Sequence, residues 1–116
     1  MTEQDIQNAI MAELSDEARL FRTNAGTMWQ GDISRLPNGE TILRHLRRVQ
    51  GLPKGHSDLA GVRIGDGRAV YIEVKTPTGK VRPDQENFLR RMREAGALAG
   101  VARSVEDARR ILHDDD

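Results

Sequence analysis

An α/β fold, with helices packed on a mixed sheet, is predicted by three observations. Apolar residues recur at helical spacing near both ends of the chain. Two strand-like runs flank a glycine-rich turn in the second half, and a proline-opened helical stripe is followed by a third apolar run. At 116 residues the sequence has room for one domain spanning 1–116, because domains cluster near roughly 100–150 residues.

Ile6, Ala9, Ile10 and Leu14 follow a Thr2/Asp5 start signal and predict an amphipathic helix over 3–18. Residues 19–24 read as a short extended stretch ending at Ala25-Gly26. Residues 27–34 show no clear period, and Pro37-Asn38-Gly39 signals a turn. From Thr41 to Val49, helical spacing separates Leu43 and Leu46 from Arg44, Arg47 and Arg48, while a strand reading survives because the segment is short. Asp58–Ile64 and Ala69–Lys75, joined by Gly65-Asp66-Gly67, give the strongest hairpin signal. Pro83-Asp84-Gln85-Glu86 opens a helix with the stripe Phe88, Leu89, Met92 and Ala95, stopped by Gly96. A strand over 97–102 follows, then a helix to Leu112 whose start, Ser104 to Asp107, has the spacing of a capping box. Residues 113–116 read as a frayed tail.

Composition narrows the function classes. Charged residues make up 31%, mean hydropathy is −0.62, and no apolar run approaches the roughly 18 residues that cross a bilayer. No membrane role is expected, and with no secretory signal at the N-terminus the cytoplasm is the default location. No cysteine is present and three histidines are scattered, so any metal is held mainly by oxygen. Eighteen basic residues balance eighteen acidic ones, which makes nucleic-acid binding a matter of local patches. Four aromatics are too few for a platform of stacked rings, so DNA contacts fall mainly on phosphate.

The informative constellation is Asp58 at the start of one hairpin strand and Glu73-Val74-Lys75 on the other. Alternation puts Glu73 and Lys75 on one face. A turn centred near Asp66 sets position 58 opposite roughly position 74, so the Asp58 and Glu73 carboxylates are expected to converge. Two carboxylates about 4 Å apart repel by roughly 4 kcal/mol at an effective dielectric of 20, so the pair needs a proton or a cation. Mg2+ or Mn2+ could take oxygen from Asp58, Glu73 and the Val74 carbonyl, with Lys75 placed to face the charge that builds during phosphodiester hydrolysis. Taken alone, a Glu-x-Lys strand is most often an exposed ion pair; the ordered set Gly-x-x-Asp, hairpin, Glu-Val-Lys and Gln85 is what singles it out. The glycines at 61, 65 and 67 lack the Lys-Ser/Thr of a phosphate-binding loop.

That set resembles the PD-(D/E)XK nucleases, and within them the virus-type replication-repair nuclease (VRR-NUC) family, especially its small stand-alone members from phages and bacteria. The resemblance covers nearly the whole chain, from Glu3-x-x-Ile6-Gln7 through Arg22-x-Asn24-x-Gly26, Gly55-His56-Ser57-Asp58, Ile72-Glu73-Val74-Lys75 and Pro83-x-Gln85-x-x-Phe88 to Gly96-Ala97 and the run Val101 to Ala108. Ser57 stands where the superfamily name has proline. The resemblance implies a restriction-endonuclease-like mixed β-sheet flanked by helices. It also implies metal ligands Asp58 and Glu73, an active-site Lys75, a Gln85 that orients the lysine or phosphate, and a Glu3 that completes the metal site. The implied activity is a Mg2+- or Mn2+-dependent DNA endonuclease of the Holliday junction resolvase kind. It would act as a homodimer in a bacterial or phage-infected cell and leave 5′-phosphate and 3′-hydroxyl ends. The alternative is a non-catalytic DNA-binding or assembly module that keeps the fold. Arg22, Asn24, Arg44, Arg47, Arg48, Lys54, Lys80 and Arg82 are candidate DNA contacts. His56 reads as a loop histidine with no ligand role.

Overall fold

A computed structural model describes residues 1–23 and 27–114. The elements in chain order are α1 (Glu3–Glu13), β1 (Ala18–Arg22), β2 (Thr27–Arg35), β3 (Thr41–Gln50), β4 (Leu59–Arg63), β5 (Ala69–Val74), α2 (Pro83–Glu94), β6 (Leu98–Ala102) and α3 (Val105–Leu112). A four-stranded sheet runs in the order β1-β4-β5-β6, and β2 pairs with β3 in a separate two-stranded ribbon. β1, β4 and β5 are antiparallel neighbours, whereas β6 lies parallel to β5 after the α2 crossover. The mixed sheet flanked by three helices is the restriction-endonuclease-like α/β arrangement the sequence predicted.

The core forms where α1 and α3 cover one sheet face. Ile6, Ile10 and Leu14 meet Val70, Ile72 and Val74 of β5, with Leu59, Leu98, Ala102, Ala108 and Leu112 closing the cluster. Because β5 sends alternate side chains inward, Tyr71 and Glu73 must face the other way. There α2 receives them, Phe88 against Tyr71 and Gln85 against Glu73. Gly61 permits the close approach of β1, since a Cβ there would fall 1.7 Å from the Arg19 carbonyl oxygen. Among the described residues no helix is long and apolar enough to cross a membrane.

Several expectations are corrected. α1 stops at Glu13 rather than residue 18, after a Thr2/Asp5 capping box at its start. Ser15 and Asp16 are poor helix formers, and the turn at Leu14–Ala18 frees Ala18 to be buried in β1. Of the two readings open for residues 41–50, the structure takes the strand, because the preceding run supplies a partner: Trp29 faces Arg48 and Ile33 faces Leu43. Pairing overrode the helical spacing of the arginines. A bulge between Gln30 and Asp32, with His45 at φ 55°, re-aims the arm midway. The Asp107 carboxylate accepts from the Arg103 amide rather than from that of the helix-capping Ser104. The tail is tied at His113, whose Nε2 lies 2.7 Å from Glu17 Oε1; residues 115 and 116 lie outside the described residues.

Candidate active site

Hairpin register decides whether the two carboxylates meet. Leu59 opposes Ile72, so one step further out Asp58 falls opposite Glu73, one residue from the position 74 expected from the turn. Directly opposed residues project to the same face, which favours convergence more than the expected register did. Asp58 is fixed from two sides. Its Oδ2 accepts from the Val74 amide at 2.9 Å, and its carbonyl accepts from the Thr23 amide at 3.0 Å. The Thr23 hydroxyl donates to the Ser57 carbonyl, and the buried Ser57 hydroxyl donates to Leu59 O at 2.8 Å. Serine therefore does here, through a hydrogen bond, the bracing of the strand entrance.

Glu73 is 2% exposed. Its Oε2 accepts from Gln85 Nε2 at 3.2 Å and stands 3.9 Å from Lys75 Nζ, while its Oε1 is buried with no hydrogen-bond partner. Burial first, then the neighbouring Asp58 carboxylate, push the Glu73 carboxyl up to about 8. A buried carboxylate oxygen without a donor is the feature a hard cation satisfies, and both carboxylates supply the oxygen ligands Mg2+ and Mn2+ prefer. The residues present therefore fit such an ion. Among the described residues no three acidic or histidine side chains are grouped closely enough to hold one, so the carboxylates form a pair.

Lys75 is 8% exposed and has two carboxylate neighbours, Glu73 Oε2 and Glu3 Oε1, each at 3.9 Å. Those separations exceed hydrogen-bond length, so the ammonium is held by charge while its donors are not committed to either carboxylate. Glu3 thus meets the lysine. Gln85 caps α2 through the Arg82 amide at 3.0 Å and anchors Glu73, rather than orienting Lys75.

Glu3, Lys54, Gly55, His56, Asp58, Glu73, Lys75, Arg82 and Gln85 line one open cleft of about 370 Å³. Of the expected DNA contacts, Lys54 and Arg82 are brought to this cleft. Arg22 is spent on α1, donating to Gln7 Oε1 at 3.1 Å and to Asn8 Oδ1. Arg44, Arg47 and Arg48 lie on the β2–β3 arm, Arg47 bonding Gln30 at 3.2 Å, and Lys80 sits exposed on the loop after β5. Asn24 lies outside the described residues.

His56, expected to be a loop histidine with no ligand role, lines the cleft. Its Nδ1 lies 2.9 Å from the Ser57 carbonyl, and its ring packs 4.5 Å from Phe88 and 5.7 Å from Tyr71. The only available signal was its position two residues before Asp58.

Gly55 locks this loop to α2. Its φ is +91°, and a Cβ would meet the Asp84 carbonyl oxygen at 2.6 Å. Gly55→Ala is therefore expected to cost on the order of 1–3 kcal/mol in stability, read by thermal melting. It is also expected to lower any activity that depends on where Asp58 stands. A melting temperature equal to that of the unaltered protein would refute the lock.

The VRR-NUC domain model matches residues 1–106 of the chain. No curated protein matches it.

Proposed function

Because the chain belongs to the VRR-NUC family, and so carries a nuclease domain of the PD-(D/E)XK type, we propose that it is a Mg2+- or Mn2+-dependent endonuclease that cuts branched DNA as a homodimer, like a Holliday junction resolvase. The observation that carries this reading is the meeting of Asp58, Glu73 and Lys75 in one cleft with a buried carboxylate oxygen left unpartnered. Asp58 and Glu73, with the Val74 carbonyl, are the groups to hold the ion. When bound, a divalent cation supplies Lewis acidity toward the phosphate and lowers the pKa of water. The protein's own part is positional and electrostatic. Gln85 pins Glu73, the Val74 amide pins Asp58, and the Lys75 ammonium, steadied by Glu3, faces the negative charge that grows on the phosphate. Lys54 and Arg82 at the cleft wall suit backbone phosphates, which carry no sequence information. The direct test is incubation of supercoiled plasmid and a synthetic four-way junction with Mg2+ or Mn2+. Strand cleavage that needs the metal is expected, and intact DNA in every condition would favour a non-catalytic binding module.

Pairing of two copies draws support from the β2–β3 arm. A two-stranded ribbon is marginal by itself in water, and this one leaves Trp29, Ile33, Leu43 and Leu46 exposed on one face, Ile33 at 75%. Net charge zero removes the repulsion that would oppose self-association. In sedimentation equilibrium the protein is expected to be a dimer, Ile33→Asp a monomer, and Ser34→Asp, on the opposite face, still a dimer. A monomeric parent protein would refute the arm as an interface.

A further inference from the structure

The geometry points to a second binding site beside the cleft: the groove formed by Phe21, Leu52, His56, Val62 and Tyr71 takes one unpaired nucleobase next to the phosphate being cut. This rests on the nuclease reading above and names the feature of the substrate that the site selects. Four aromatics are too few for an extended stacking platform, but the topology brings Phe21, Tyr71 and Phe88 to one region while Trp29 stays on the arm. β-sheet register sets Phe21 opposite Ala60 and Ala60 opposite Tyr71, so these three side chains form a row on the face that also carries Glu73 and Lys75. Tyr71 is two residues from Glu73, about 7 Å along the strand, and Phe21 is two strands away, about 10 Å. Those spans correspond to a few stacked nucleotide steps of roughly 3.4 Å.

His56 is a wall of both cavities, so the groove adjoins the site that would receive the phosphate. Its ring, with Tyr71 and Phe88 packed edge-on 5.5 Å apart, gives the groove a rigid aromatic side, while Phe21 stands 60% exposed at its rim. The cavity measures about 300 Å³, small for a ligand pocket and suited to a single ring system. Among the described residues no lysine, arginine, aspartate or glutamate lines it, whereas Lys54, Lys75 and Arg82 line the neighbouring cleft. That division suits a nucleotide: phosphate among the cations, base against the rings. Recognition through a π-face tolerates any base. A branch point, where stacking between neighbouring pairs is interrupted, gives up a base more cheaply than intact duplex, in which unstacking and unpairing cost a few kcal/mol. The groove thereby favours branched over linear DNA.

The test uses a four-way junction carrying 2-aminopurine at successive positions around its crossover, titrated with protein in the absence of divalent cation so that no strand is cut. One position is expected to show a strong fluorescence change on binding. Phe21→Ala is expected to lose that change and bind about 5- to 100-fold more weakly, whereas Phe21→Trp keeps both. An abasic residue at the same position is expected to weaken binding of the unaltered protein to the level of Phe21→Ala, and to cost Phe21→Ala nothing further. A fluorescence change unaffected by Phe21→Ala, or losses from the two alterations that multiply, would overturn the proposal. The two readings fail separately. A Phe21-dependent signal without cleavage under Mg2+ or Mn2+ removes the nuclease and keeps the groove. Cleavage with no Phe21-dependent signal removes the groove alone.

Discussion

Replacing Lys75 with methionine is expected to lower the single-turnover rate of junction cleavage by about two to three orders of magnitude, the usual cost of removing one preorganised group that stabilises transition-state charge. Methionine keeps the length of the buried stem and removes only the ammonium, so lost packing cannot account for the loss. The charge matters because of where it is confined. Lys75 is almost fully buried and faces two carboxylates at 3.9 Å, so it is electrostatically balanced without being hydrogen-bonded to either. In so dry a position its field on a neighbouring phosphate is screened far less than on the surface. Lys75→Ala should lose as much activity, and the two variants together separate charge from volume. Cleavage by Lys75→Met at the rate of the unaltered protein would remove the lysine from the reaction. Thermal melting of the methionine variant within a few degrees of the unaltered protein completes the case, since a loss of rate in a folded protein has no structural excuse.

Much of this arrangement was legible in the sequence because it depends on local rules. The glycine-rich turn between Asp58–Ile64 and Ala69–Lys75 specifies an antiparallel pair, and strand alternation then forces Glu73 and Lys75 onto one face whatever surrounds them. Pro83 and Gly96 bracket α2 for reasons of backbone geometry alone. What sequence could not supply was the exact partner of each group. A one-residue difference in register put Asp58 opposite Glu73, and no turn signal resolves a single residue when the loop has several glycines. Gln85 was placed in the first turn of its helix, but whether its amide reached the lysine or the glutamate depended on how α2 crosses the sheet.

The arm and the ring cluster were illegible for a different reason. Arg44, Arg47 and Arg48 satisfy helical spacing as well as they satisfy a strand, and only the non-local partner β2 decides between them. His56, Tyr71 and Phe88 come from a loop, a strand and a helix, and meet through tertiary packing that no window of sequence contains. The groove proposed to take a base and the arm proposed to pair two copies both rest on non-local contacts of this kind. The groove and the arm are therefore where the fold adds information that the motif does not carry.

Glu73→Gln is expected to abolish metal-dependent cleavage while making the metal-free protein more stable at neutral pH, and the sign of the second effect follows from protonation. In the folded protein the Glu73 carboxyl is pushed from 4.5 to about 8, chiefly by burial and then by Asp58. The folded state therefore holds a proton that the unfolded chain has already released. Between about pH 4.5 and 8 the folded form binds more protons than the unfolded one, so raising the pH through that window destabilises the metal-free fold, by at most about 1.4 kcal/mol per pH unit for a single proton. Glutamine reproduces the neutral carboxyl and can still accept from Gln85, so its melting temperature should lose most of this slope. A divalent cation acts in the opposite sense, because it binds the ionised carboxylates and competes with the proton. Manganese at about a hundredfold over its dissociation constant should stabilise the unaltered protein by roughly 2.7 kcal/mol, more readily at pH 8 than at pH 6, and leave Glu73→Gln nearly unmoved. The decisive measurement is a set of melting curves across pH with and without manganese. A melting temperature that rises with pH in the metal-free protein, or equal stabilisation of both proteins by manganese, would show that Glu73 is neither the buried acid nor the ligand that the cleft requires.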